Sequence, residues 1–532
     1  MKFHLSMIAS AVLAATPLLA VAGPLDSSSL LWTQRHGAQG ALVAAPTGFL
    51  SEIVTFDSAS KTLWVAGVKG VDVLDALTGT RLQFIDTTAY GSINSVAIHG
   101  GIAAFAMEAD DRKMPGKVVL FNTSTRLLAS GTNVITVGSL PDMLTFTPDG
   151  TKLLVANEGT PNWINGGVND YGIRIGSTTP RNYGYATPAE QAAKDPVGSV
   201  SIIDMSTRTV VATPGFNGVA VSGSNVRTNT GMDFEPEYIT VNAAGTQAYV
   251  GLQEANAMGV LDLNTNQFTK VVGLGAKDFS LAGNAIDTNN NGTVSFVTVA
   301  AKGLYMPDGM ATFQSGGKTL VVMANEGDFR EDDADRSAAS SVSSTLYPAN
   351  SVLGNLRVSN TDSSANNLFA AGARSFSIRE TDGTIVYDSG NILDVEANKL
   401  GLYDDARSRD KGVEPEGVEL MEIDGKTFAF IGLERTTKGA VAVFDITDPA
   451  NASFVKMLTL DAGASGFLQR PEGLKGFAMD GTFYLAVASE GADGLNPGTA
   501  LFSLAPVPEP STYALMLAGL LGVASIARRR RG

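Results

Sequence analysis

The sequence predicts an all-β protein whose body is a seven-bladed β-propeller, preceded by a signal peptide and followed by one short transmembrane helix. Three observations predict it. Fifty-eight glycines among 532 residues, with Val, Ile and Thr gathered in short runs, indicate many short strands joined by tight turns. A two-strand unit bounded by acidic residues recurs along the body. The two ends of the chain are patterned unlike the rest.

The repeat sets the architecture. An acidic residue, usually after proline, opens a strand, a turn follows, and the next strand ends at a second acid. Pro141-Asp142 leads through Thr147-Pro148-Asp149-Gly150 to Glu158, and Pro236-Glu237 leads through Asn242-Ala243-Ala244-Gly245 to Glu254. Pro307-Asp308 leads to Glu326, Pro415-Glu416 to Glu434, and Pro471-Glu472 to Glu490. The acid-to-acid separations are 16, 17, 18, 18 and 18 residues, so the units share one length. Two weaker copies come first, one opening at Glu52 and one running from Asn94 to Glu108. A third strand often ends in Asp, as at Asp75, Asp204, Asp262 and Asp445, and a polar turn leads to a fourth. Seven such units form a propeller because none buries both faces alone and neighbours must stack into a ring. A strand from residues 30–43 is expected to join the last unit and close a domain over residues 30–505. A pair of long β-sandwiches is the alternative.

Lys2, an apolar stretch over residues 5–19 and the small residues Ala20-Val21-Ala22 form a signal peptide, residues 1–22, so the chain is exported. Residues 507–532 contain Pro508-Glu509-Pro510, an apolar run over 513–527 and Arg528-Arg529-Arg530-Arg531. The run barely reaches the length of about 20 residues that a bilayer requires. The arginines stay cytoplasmic under the positive-inside rule. A permanent C-terminal anchor has the same physical pattern. In its three parts and their order, the tail resembles the PEP-CTERM sorting signal of Gram-negative bacteria. That resemblance implies transient anchoring in the inner membrane, cleavage by an exosortase, and passage to the cell surface or extracellular matrix. Its implied partners are the secretion machinery and the exosortase.

Net charge is −15, and becomes −20 once Lys2 and the four terminal arginines are removed. Such a chain repels nucleic acid and anionic lipid and attracts cations. There is no cysteine, so the exported fold rests on its core without disulfides. Only His36 and His99 remain after signal cleavage, which excludes a Cys/His zinc site. Neither histidine sits in a Ser-His-Asp motif, and no P-loop, nucleophile elbow or zinc-protease signature occurs.

Antiparallel strands of similar length return both acids of a unit to one end of its blade. In a propeller that end faces the mouth of the central channel. Asp142, Glu158, Glu237, Glu254, Asp308, Glu326, Glu416, Glu434, Glu472 and Glu490 are therefore expected near one opening. Carboxylates so crowded must be protonated, paired with cations or bound to metal. Oxygen ligands without His or Cys select hard ions, Ca²⁺ first and Mg²⁺ second. Pairing with Arg330, Arg435 and Arg470 is the equal alternative.

Asp287-Thr288-Asn289-Asn290-Asn291-Gly292-Thr293 has the spacing of half a calcium loop, but Thr298 stands where a bidentate acid is needed. It reads first as a polar surface loop. Two insertions break the repeat. Residues 161–196 carry Trp163, Tyr171, Tyr183 and Tyr185, which suit sugar stacking, and residues 330–364 begin acidic and become Ser/Ala-rich. Both are expected as loops on one face.

The chain also resembles the choice-of-anchor I family, relatives of mesenchyme-specific cell surface glycoproteins, over about residues 50–504. The matching text includes Leu140-Pro141-Asp142-Met143, Asp233-Phe234-Glu235-Pro236-Glu237-Tyr238, Gly303-Leu304-Tyr305-Met306-Pro307-Asp308 and Ala324-Asn325-Glu326-Gly327-Asp328. It continues in Gly372-Ala373-Arg374-Ser375-Phe376, Lys411-Gly412-Val413-Glu414-Pro415-Glu416-Gly417 and Ile431-Gly432-Leu433-Glu434-Arg435. The resemblance implies a surface-displayed propeller of YVTN/WD40-like kind. Some relatives carry alkaline phosphatase labels, though this chain has no cysteine to serve as an iron ligand.

Two functions stay open. One is a calcium-binding propeller with a binding or structural role, displayed outside the cell within exopolysaccharide. The other is a metal-dependent alkaline phosphatase or phosphodiesterase, with Arg330, Lys411, Arg435 and Arg470 as anion-binding groups beside the metal. No residue is singled out as catalytic.

Overall fold

Among the described residues the short apolar runs build seven main sheets, each with four antiparallel strands, taken in chain order in all but the last, which borrows an N-terminal strand. In this computed structural model the described residues are 27–36, 52–160, 196–227, 234–329, 336–460, 468–492 and 496–504, with Leu25 and the paired strands Trp163–Ile164 and Val168–Asn169. The expected signal peptide, the C-terminal tail, most of the 161–196 insertion and Arg330 lie outside them. No helix among the described residues is long and apolar enough to cross a membrane.

The first sheet runs Val54–Asp57, Thr62–Gly67, Gly70–Asp75, Arg81–Asp86, and the second Ser92–His99, Ile102–Glu108, Pro115–Asn122, Val134–Ser139. The third runs Pro141–Phe146, Lys152–Asn157, Ser199–Asp204, Thr209–Ala212. The fourth runs Ile239–Val241, Gln247–Leu252, Ala257–Asp262, Gln267–Leu274, and gains Val221–Ser224 as a parallel edge strand. The fifth is Met310–Ser315, Lys318–Asn325, Ser375–Glu380, Ile385–Asp388, and the sixth Pro415–Ile423, Lys426–Leu433, Ala440–Asp445, Ser453–Thr459. The seventh joins Pro471–Met479, Thr482–Ser489 and Gly498–Ser503 to the N-terminal strand Ser29–Arg35. The expected closing strand is therefore present, and it pairs with Gly498–Ser503.

Period-two alternation explains how the sheets stack. Within Thr62–Gly67, Trp64 and Ala66 pack with Val96, Phe105 and Val119 of the second sheet. Leu63 and Val65 point the other way, against Ala486, Ala488 and Leu501 of the seventh. A fully buried side chain of this kind contributes about 1.5–3 kcal/mol. The first strands of successive sheets neighbour one another in chain order, and Pro471–Met479 lies against Val54–Asp57. Three sheet junctions depend on glycine following the repeated acid. A Cβ on Gly309 would lie 2.3 Å from the Glu416 carbonyl oxygen, one on Gly417 2.1 Å from that of Glu472, and one on Gly473 2.4 Å from that of Glu52.

The third strands end in a second repeated polar residue with a different task. Asp75, Asn122, Asp204 and Asp262 each accept backbone N–H bonds from the residues two and three positions further on. Asp445 does the same with Thr447. These side chains hold the outer turns.

The second insertion is not simply a loop. Its described part pairs Arg336–Ala338 with Arg357–Ser359 as a sheet of its own, and Arg357–Ser359 lies against Phe369–Ala370 of a separate three-stranded sheet with Ala276–Asp278 and Lys302–Leu304. Phe279, Ile286, Leu356, Val358 and Leu368 form an apolar cluster of their own there. These apolar residues are too scattered along the chain to give a periodic signal. Asp287 is buried, with its carboxylate accepting from Ser408 Oγ at 3.0 Å and from the N–H groups of Asn289 and Ser295. Its protein partners fit the polar-loop reading.

Candidate functional site

The acid that opens each first strand sits in a β-bulge. In the first sheet Glu52 N–H donates to the Ala66 carbonyl while Ala66 N–H donates to Ile53, so two residues oppose one. Glu237 and Tyr238 oppose Gly251 in the same way, as Asp308 and Gly309 oppose Ala324. Register shifts fall at the equivalent positions Asn94, Asp142, Glu416 and Glu472. A bulge breaks the in–out alternation and re-aims one side chain. Glu52, Asn94, Asp142, Asp308, Glu416 and Glu472 line a cavity of about 690 Å³ between the first strands.

The second acids follow close behind. Glu254, Glu326 and Glu434 are buried, and Glu158 and Glu490 half-buried. The ten acids act electrostatically on one another and on Glu52, with Glu108, Glu235 and Glu414 among their neighbours, and Asp142 is felt at Glu52 and Asp308 two sheets away. Burial, then Arg112 and Glu108, sets Asp142 at about 6. Burial first, then other carboxylates, raises Glu254 and Glu434 to about 8. Glu52, Glu158, Glu237, Asp308, Glu416 and Glu472 are pushed well up by burial and by one another. The outer-turn aspartates behave oppositely: hydrogen bonds from the following residues hold Asp204 and Asp262 below the usual range. One chain therefore carries two repeated acid sets, one satisfied and one crowded.

Cations meet part of the crowd. Lys411 Nζ lies 2.6 Å from Glu326 Oε1 and 2.9 Å from Glu414 Oε2. Arg435 pairs with Glu434 at 2.7 Å, Arg407 with Glu414 at 2.6 Å, and Arg470 with Glu490 at 3.4 Å. Glu158 accepts a hydrogen bond from Thr160. Elsewhere the set stays short of partners. The Glu237 and Glu254 carboxyls share a hydrogen bond, but among the described residues the buried oxygens Glu237 Oε2, Glu254 Oε2 and Glu416 Oε2 have none. One oxygen each from Asp308, Glu326 and Glu416 lie within 4.8 Å of one another, as do oxygens of Glu326, Glu414 and Glu434. An all-carboxylate donor set with unsatisfied buried oxygens fits a hard divalent cation.

Sequence reasoning passed over Glu414, Arg407 and Arg112 at this site. Glu414 precedes Pro415 and takes a left-handed backbone at φ +50°, a conformation unusual for glutamate. The equivalent Leu140, Met306 and Arg470 are left-handed too, at +45°, +42° and +56°. Each precedes a Pro-acid pair, which is the signal that could have drawn attention to Glu414.

A sequence model described as the choice-of-anchor I domain matches residues 52–449, and one described as the PEP-CTERM protein-sorting motif matches 506–531. No curated protein matches the chain. Among solved structures it is similar to the Kuenenia stuttgartiensis hydrazine synthase, at 12% identity over 85% of this chain and 95% of that one, with a TM-score of 0.43.

Proposed function

The chain belongs to the choice-of-anchor I domain family and carries the motif of exported proteins that an exosortase recognises and sorts to the cell envelope; from that premise we propose that it is a seven-bladed propeller whose acidic mouth binds a divalent cation, Ca²⁺ first. The seven sheets are its blades, and Ser29–Arg35 closes the ring. Its role is binding or structural, at the surface or in the exopolysaccharide matrix.

The observation that carries this reading is the convergence of repeated carboxylates, the first of each pair aimed by a bulge, with one buried oxygen each on Glu237, Glu254 and Glu416 unbonded among the described residues. Asp308 and Glu416, with Glu326 beside them, would hold the ion. A bound cation supplies the charge that these oxygens lack in the protein alone. What speaks for binding over phosphoester hydrolysis is that Lys411, Arg435 and Arg470 already face carboxylates. The test combines melting in EDTA and in Ca²⁺ with turnover of p-nitrophenyl phosphate and its diester. The reading expects a Ca²⁺-dependent rise in melting temperature without turnover. Calcium-dependent turnover would make the protein a hydrolase, and no Ca²⁺ response would end the cation reading.

A further inference from the structure

Two carboxylate trios share Glu326 and differ in what faces them. Glu326, Glu414 and Glu434 are all buried. Against these three negative charges stand Lys411, at 2.6 and 2.9 Å from Glu326 and Glu414, Arg407 at 2.6 Å from Glu414, and Arg435 at 2.7 Å from Glu434. Asp328 adds a more exposed fourth carboxylate 3.9 Å from Lys411, so three cations meet the buried trio and one acid at its rim. In the other trio, Asp308 and Glu416 are only half-buried, line the cavity, and have no ion pair among the described residues, while Glu416 Oε2 has no hydrogen bond.

Lys411 does not reach this pocket on a loose surface arm. It is 5% exposed, and the segment bearing it is fixed by buried Arg374. The guanidinium of Arg374 donates to the carbonyls of Asp287, Ser408 and Asp410 at 3.0, 2.6 and 3.0 Å. The ammonium is thus set on a rigid backbone, a compact point charge where an ion would otherwise sit. Each Glu326 oxygen has one partner, Oε1 Lys411 and Oε2 Gln253 Nε2 at 2.8 Å, and keeps a further lone pair.

We propose that Lys411 is a built-in cation that fills the Glu326–Glu414–Glu434 trio, so that exchangeable divalent ions are confined to the side of the mouth formed by Asp308 and Glu416. This rests on the cation-binding reading above. Lys411 thereby sets how many ions the mouth takes. Its removal leaves three buried carboxylates without their central charge and opens a position for one more divalent ion.

The test is calorimetric titration of the EDTA-stripped full chain with Ca²⁺, in the natural sequence and in Lys411→Met and Glu414→Gln. Lys411→Met is expected to bind one additional equivalent of Ca²⁺, and to melt lower in EDTA but regain the difference in Ca²⁺. Glu414→Gln, made in the natural background, is expected to keep its Ca²⁺ affinity within about threefold, because it loses only a neighbouring charge and no ligand. A folded Lys411→Met with unchanged stoichiometry overturns the proposal. So does a loss of tenfold or more in Glu414→Gln, which decides the matter if Lys411→Met fails to fold. If the natural chain binds no Ca²⁺, the underlying reading fails and takes this one with it.

Discussion

The backbone N–H of Glu158 donates to the carbonyl of Leu140 at 2.9 Å, tying the second acid of a repeat to the residue two places before the first. Glu434 is tied to Glu414 at 2.9 Å and Glu490 to Arg470 at 3.0 Å. In the fifth sheet the donor is Gly327, one residue past Glu326, and the acceptor Met306. Each acceptor is left-handed, a state worth about 1–3 kcal/mol of strain in a non-glycine residue. The strained corner, the proline and the bulge act together to hold two carboxylates at one end of the sheet. Mutual repulsion would otherwise push them apart.

Stability of the metal-free chain is expected to fall as pH rises from 5 to 8.5. Burial and neighbouring charges push Asp142 up to about 6 in the folded state from an ordinary 3.8, and Glu254 and Glu434 to about 8 from 4.5. An acid whose folded pKa is raised holds its proton more tightly when folded. Its contribution is full below the unfolded pKa and is lost as pH climbs through the folded one. Melting in EDTA across that range checks this, and Ca²⁺ should raise the melting temperature more at pH 8.5 than at pH 5. A melting temperature that rises with pH in EDTA would contradict the crowding.

Gly417→Ala should destabilise the protein by about 1–3 kcal/mol, because the new methyl meets the Glu472 carbonyl and forces the sixth and seventh sheets apart. Gly425→Ala is a poor control, since its φ of +76° strains any side chain. Gly283→Ala, in open space with no left-handed backbone, is the proper one and should change little. Denaturant unfolding of the two variants distinguishes a steric contact from a general loss of glycine.

His36→Ala should loosen the closing strand. Its Nδ1 lies 2.6 Å from Asp72 Oδ2 of the first sheet and its Nε2 2.7 Å from Thr499 Oγ1 of the seventh, all three buried. Asp72 keeps Arg81 at 2.6 Å, so the expected loss is that of buried hydrogen bonds, about 1–3 kcal/mol. Hydrogen exchange should quicken over Ser29–Arg35 before it does in the sixth sheet. Uniform quickening would remove the clasp from the account.

The repeat was legible because each unit needs the same acid, turn and strand lengths, and residue types record that need directly. The expectation that the ten acids share one end comes from matched strand lengths in a ring of blades; the bulges that aim the first acids leave no mark in the residue pattern. What escaped was set by contacts distant in sequence. Glu414 had no partner acid at the repeat spacing, and Lys411 reaches Glu326 from 85 residues away on a segment fixed by Arg374. The cluster of Phe279, Leu356 and Leu368 joins three stretches, none periodic by itself. Asp204 and Glu158 belong to repeats of similar appearance, and only burial separates a turn cap from a crowded carboxylate.

Glu416→Gln should stabilise the metal-free chain at pH 8, because it removes a carboxyl whose ionisation is disfavoured by burial and by the neighbouring Glu434 and Glu472. The same change should weaken any Ca²⁺-dependent gain. Asp262→Ala, at an outer turn, should instead lose about 0.5–1.5 kcal/mol in both conditions. Opposite signs for two repeated acids would separate the two sets; equal losses would merge them.

The most direct measurement is a calorimetric Ca²⁺ titration of the EDTA-stripped full chain at pH 8, with Asp308→Asn/Glu416→Gln beside it. Saturable binding that the double variant loses by tenfold or more, while its melting temperature in EDTA holds or rises, is the predicted result. Absence of saturable binding, or equal binding by the double variant, would contradict a cation site at this mouth.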